Sequence, residues 1–96
     1  MSRLTDEEIA RAVVQTPWDR EGDALARELR FADFAAAIDF VNRVAELAEA
    51  VNHHPDILVH GWNRVRLTLS THSEGGITQA DVDLASAIDA TVGPVA

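Results

Sequence analysis

The chain has no cysteine, which removes disulfides, thiolate nucleophiles and thiolate metal sites together and agrees with a reducing compartment. It also has no apolar run longer than a few residues, and Arg3, Asp6, Glu7 and Glu8 crowd its first positions. Neither a membrane-spanning helix nor a secretory signal is therefore expected, and the expected location is cytoplasmic. Basic residues are scarce. Eight Lys+Arg stand against sixteen Asp+Glu, a formal charge of −8 whose field repels a phosphate backbone, so direct nucleic-acid binding is not expected. Arg64 and Arg66 alternate with apolar residues and read as the wet side of a strand. No Gly-x-Ser-x-Gly turn is present to support a Ser-His-Asp hydrolase.

What remains is an ordinary globular composition in 96 residues, enough for one hydrophobic core and a single domain, residues 1–96. Thr5-Asp6-Glu7-Glu8 has the form of a capping box, followed by Ile9, Ala12 and Val13 at helical spacing, which predicts a helix over about 5–15 that Pro17 ends. Residues 19–23 read as a polar turn. Leu25, Leu29 and Phe31 then alternate with polar or small residues as in a strand. Asp33 is placed to cap a long, alanine-rich helix running to about Asn52. Its apolar positions, from Phe34 to Val51, cover close to half of the cylinder. That is more than one surface helix needs, and it predicts an oligomer in which part of this face meets another subunit. A duller reading has the whole face under the chain's own sheet, with the alanines blurring the stripe.

Residues 56–59 form a short extended run, His60-Gly61 a turn, and 62–71 the longest expected strand, with Val65, Leu67 and Leu69 on one face. A Gly-rich loop follows. Thr78-Gln79-Ala80-Asp81 then opens a last helix to about Thr91. The order α-ββ-α-ββ-α predicts an α+β two-layer sandwich, a four-stranded antiparallel sheet with three helices on one face.

The chemistry concentrates in three of the four histidines, His53, His54 and His72, together with Glu49. Imidazole titrates near neutral pH, so such a group beside a carboxylate can give and take protons. Glu49 lies one helical turn before His53 and is expected to support it, while Pro55 disfavours helical geometry at His54 and so makes the two histidines diverge. His72 ends the longest expected strand, where a rigid scaffold presents reactive groups. His60 reads as an exposed turn residue outside the site. A helix C-terminal pair interacting with the dipole is the structural alternative for His53 and His54, and a solvated charge is the alternative for Glu49. Zinc or ferrous iron would accept these donors, but adjacent histidines seldom both reach one ion and no His-Glu-x-x-His pattern occurs, so no metal is expected.

Glu49, three residues, His53-His54-Pro55, six residues, Trp62, nine residues, His72, eight residues and Asp81 resembles the signature of the pterin-4a-carbinolamine dehydratases. Trp18, Leu29 to Phe34, Asn63-Arg64-Val65, Leu67 to His72 and Gly76-Ile77-Thr78 extend the resemblance over about residues 16–90. One residue more than in the better known animal pattern separates Pro55 from Trp62. The resemblance implies the α+β sandwich already read, dimerisation through the sheet and tetramerisation through the long helix. It implies a pterin substrate and loss of water from 4a-hydroxytetrahydropterin to give the quinonoid dihydropterin, in recycling downstream of an aromatic amino acid hydroxylase. No cofactor is implied. His53, His54 and His72 would be the catalytic histidines with Glu49 as their acidic support. His54 would also hold the pterin, with Trp18 near the pocket, and Trp62 and Asp81 would serve packing and capping. The resemblance also implies an alternative, a non-catalytic cofactor that binds another protein through its sheet or its long helix.

Overall fold

The computed structural model describes residues 2–92, and Met1 and residues 93–96 of the expected single domain lie outside them. Helix α1 (Asp6–Val13) opens with both arms of the expected box: Glu8 N–H donates to Thr5 Oγ1 at 3.1 Å and Thr5 N–H to Glu8 Oε1 at 2.8 Å. The Thr5 amide, and then its hydroxyl, hold the Glu8 carboxyl below the usual carboxylate range. The helix stops two residues short of the expected bound because Gln15 adopts φ 66 ahead of Pro17.

Strands β1 (Asp19–Glu21) and β2 (Ala24–Arg30) form the first hairpin around Gly22 and Asp23. Residues 19–21, expected as turn, are thus a strand. All three are exposed, so a two-residue apolar alternation never arises to mark them. Helix α2 (Phe34–Val51) begins where Ala36 N–H donates to the Asp33 carboxylate at 2.8 Å. Asp33→Ala is expected to lower stability by about 1 kcal/mol, the usual effect of losing such a cap, measurable as a shifted urea midpoint at constant slope.

Strands β3 (Asp56–His60) and β4 (Arg64–Leu69) make the second hairpin, and helix α3 (Gln79–Val92) is the last described element. The strand expected over 62–71 is shorter at both ends: Trp62 lies in the turn, and His72 opens a 3-10 turn over His72–Glu74. The sheet runs β1-β2-β4-β3 with every pair antiparallel, and the three helices cover one face, as the element order predicts. Val65, Leu67 and Leu69 are fully buried and share the core with Phe40 and Val44 of α2 and Ile88 of α3.

The buried stripe of α2 is Ala37, Phe40, Val44 and Ala48, at helical spacing. Phe34, on the flank of the apolar arc, and Val51, in the last turn of the helix, remain more than half exposed, so the chain's own sheet does not cover the whole of this face. Among the described residues no helix is long and apolar enough to cross a membrane.

Candidate active site

The end of α2 decides where the histidines go. Asn52 takes a left-handed conformation, φ 51, which asparagine tolerates better than most residues. Its N–H donates to Glu49 O at 3.3 Å and the next N–H, of His53, to Ala48 O at 3.0 Å. This Schellman closure turns the chain sharply, and Pro55 then keeps His54 extended.

His53 is carried inward, its side chain only 17% exposed, and its Nε2 lies 2.6 Å from Asp81 Oδ1 at the start of α3. Asp81 is wholly buried, and its other oxygen accepts from Thr78 N–H at 2.9 Å and from Thr71 Oγ1 at 2.8 Å. A carboxylate only accepts, so the Nε2 facing it carries a proton and the neutral ring keeps its lone pair on Nδ1. His53 also lines an apolar groove of about 280 Å³ between α2 and α3, with Leu47, Ala50, Val51 and Leu84.

His54 turns the other way. Its side chain is 56% exposed and its Nε2 lies 2.5 Å from Glu49 Oε2. Glu49 was expected to support His53; it pairs with His54 instead, because the left-handed Asn52 breaks the helical register that would have put residue 53 one turn above residue 49. The carboxylate that holds His53 is Asp81, expected to serve only packing and capping. The capping half of that expectation holds in part: Thr78 N–H reaches Asp81, but the Thr78 hydroxyl accepts from Ala80 N–H at 3.2 Å and not from Asp81.

His72 is exposed and begins the 3-10 turn that the Thr71–Gly76 bridge closes. Its chain neighbour Thr71 donates to Asp81, so His53, Asp81 and Thr71 form one hydrogen-bonded series leading to the residue before His72. Trp18 lies elsewhere. It is buried in the core, its Nε1 donates to Asp89 Oδ1 at 2.9 Å, and the same oxygen accepts from Arg27 at 2.5 Å. Asp89 is eight residues beyond Asp81, about 12 Å along the helix, so the indole anchors the core end of α3 and does not stand beside the histidines.

A family model described as pterin 4 alpha carbinolamine dehydratase matches residues 2–91. The chain belongs to this family. A pterin-4-alpha-carbinolamine dehydratase, provisionally so named, from Mycobacteroides abscessus is 51% identical over 94 residues, covering 97% of this chain and 99% of that one. A relative of the same provisional name from Thermomicrobium roseum is 54% identical over 86 residues, 88% of this chain and 91% of that one. The crystal structure of a transcriptional coactivator/pterin dehydratase from Brucella melitensis has a TM-score of 0.90 at 36% identity, covering 96% of this chain and 100% of that one. A pterin dehydratase-like protein identified as a RuBisCO assembly factor in the alpha-carboxysome has a TM-score of 0.64 at 25% identity, over 81% of this chain and 89% of that one.

Proposed function

We propose that this chain dehydrates 4a-hydroxytetrahydropterin to the quinonoid dihydropterin by histidine acid/base catalysis, in the recycling of a pterin cofactor. The observation that carries the reading is the His53 imidazole held at Nε2 by a wholly buried carboxylate. A base accepts the proton of N5 while the N5 electron pair forms the C4a–N5 double bond, and the C4a–O bond breaks as an acid protonates the departing hydroxyl. One proton is taken and one is given, so product and water leave without net redox change.

His53 presents Nδ1 for the proton of N5, and Asp81 stabilises the imidazolium that results. His72, exposed and with no carboxylate partner among the described residues, supplies the second proton. His54, tied to Glu49, holds the pterin: a carboxylate and an imidazole at an open edge suit the donor-rich pyrimidine of the substrate. His54→Ala is accordingly expected to raise KM more than it lowers kcat, and steady-state kinetics that show mainly a kcat loss overturn this division. The reading as a whole is tested by the absorbance decay of freshly generated 4a-hydroxytetrahydropterin. The wild type should outpace buffer, and equal rates end the proposal.

A second role, binding another protein through the long helix, is supported by the uncovered Phe34 and Val51 and by the assembly-factor relative. It would reside in that surface and leave the histidines without a task. Self-association through the same helix would cover the same arc, and a cytoplasmic location agrees with the lack of cysteine.

A further inference from the structure

Space, and not backbone conformation, explains the glycine at position 76. Gly22, Gly61 and Gly75 take left-handed φ values, whereas Gly76 does not. A Cβ on Gly76 would lie 2.8 Å from Cδ of Arg3, closer than carbon atoms pack, so an alanine there must push the Arg3 stem aside. Gly76 is also buried, although it has no side chain and follows the exposed stretch His72–Gly75. Its cover is Arg3.

Arg3 and Leu4 together form a strap across the return limb of the His72 loop. Leu4 N–H donates to Ile77 O at 2.8 Å, and the Arg3 guanidinium donates to Gly75 O at 3.4 Å. The second bond is at the long limit for its kind, so the stem resting on Gly76 is the firmer contact. The strap is itself anchored. Leu4 packs against the core, and the next residue is Thr5, the cap of α1, a helix fixed by its capping box and its buried Ile9. Arg20 of β1 adds a bond to Asp6 at 2.8 Å.

What the strap fixes is joined to the candidate site. The outgoing limb of the loop carries His72, and the two limbs are tied where Thr71 N–H donates to Gly76 O at 2.9 Å and Gly76 N–H to Thr71 O at 3.3 Å. Between them the N–H groups of Glu74 and Gly75 close the turn onto Thr71 O and His72 O, at 3.0 and 3.1 Å. A displaced Gly76 therefore moves Thr71. That residue precedes His72 and donates to Asp81, the carboxylate bonded to His53. Gly75 and Gly76 bring no side chains of their own to steady the limb, which leaves its outer surface to Arg3.

We propose that Arg3 is a positioning residue for the dehydration and acts through His72: by covering Gly76 it fixes the loop that presents this imidazole. The proposal rests on the reading of His72 as the proton donor. A misplacement of about 1 Å can cost a reaction up to about a hundredfold, so an exposed arginine that touches no reacting atom can alter turnover far more than stability.

Arg3→Ala is expected to lower kcat by about tenfold and to leave KM within about twofold, because the Glu49–His54 pair that holds the pterin is untouched. Arg3→Lys keeps an aliphatic stem for Gly76 and should keep most of kcat. Gly76→Ala displaces that stem from the other side and should reproduce the Arg3→Ala loss, with no further loss when the two are combined. The decisive comparison adds Arg3→Ala to His72→Ala. A residue that acts through His72 has no further effect there, whereas a general structural role costs the same factor in both backgrounds. An unchanged kcat in Arg3→Ala, or an equal loss in the two backgrounds, overturns the proposal.

Amide hydrogen exchange reads the strap without substrate. In Arg3→Ala, exchange at Glu74, Gly75 and Gly76 should quicken by about tenfold while the amides of β4 keep their wild-type rates. Unchanged exchange at all three refutes the strap. Failure of the proposed reaction looks different: the wild type is no faster than buffer, or His72→Ala is as fast as the wild type, while the loop amides still respond to Arg3. Either kinetic result removes the catalytic part of the proposal with the reading beneath it.

Discussion

His53→Ala should lower kcat by about 10²- to 10⁴-fold, the usual contribution of a positioned acid or base, while the protein remains folded. The expectation follows from geometry. With Asp81 accepting at Nε2, the proposed reaction uses the lone pair on Nδ1, which truncation to alanine removes. Truncation also leaves a space open to the α2–α3 groove, and added imidazole should restore part of the rate by occupying it. His72→Ala is expected to show a loss of the same class without a comparable change in unfolding, because His72 is exposed. An unchanged kcat in either variant would remove that histidine from the proton-transfer steps.

Asp81→Ala should be the most damaging substitution for the fold. The carboxylate is wholly buried and accepts from His53, Thr71 and the Thr78 amide at 2.6 to 2.9 Å, joining the end of α2, the end of β4 and the start of α3. Its removal leaves these donors without their acceptor and opens a cavity, together roughly 3–5 kcal/mol. At 4–8 °C per kcal/mol for a domain of this size, Tm should fall by on the order of 15 °C or more, readable by calorimetry. A native Tm would show that the network does not hold the three elements together.

Asp81→Asn separates chemistry from fold. The amide keeps the shape and one acceptor but turns N–H groups toward whatever faces its nitrogen. If the oxygen stays with Thr71 and Thr78, the amide N–H meets His53 and demands a lone pair on Nε2, so the neutral ring shifts its proton to Nδ1, the wrong tautomer for a base.

The strongly periodic elements were legible because burial and local geometry point the same way. Val65, Leu67 and Leu69 alternate into the core, and Thr5 and Asp33 cap the helices that their spacing marks. The first hairpin was expected but the place of β1 was not legible, since an edge strand exposed along its whole length carries no apolar alternation and residues 19–21 read as turn. The histidines themselves stood out by residue type. Their partners did not: the (i, i+4) rule assigns Glu49 to His53 only while the helix continues, and a single left-handed asparagine hands Glu49 to His54. Asp81 lies 28 residues from His53, and only the folding of α3 onto α2 brings the two together. The Thr78-Gln79-Ala80-Asp81 pattern marked the start of α3 and gave no indication of which imidazole its aspartate would meet. Trp18, familiar by position, proved to be a core anchor because Asp89 takes its N–H.

The most direct measurement is stopped-flow turnover of freshly generated 4a-hydroxytetrahydropterin by the wild type, Asp81→Asn and Glu49→Gln at saturating substrate. The wild type should be fast, Asp81→Asn should fall toward the buffer rate, and Glu49→Gln should keep most of kcat while its KM rises. A wild type no faster than buffer, or a Glu49→Gln variant slower than Asp81→Asn, would contradict the assignment of proton transfer to the His53–Asp81 pair.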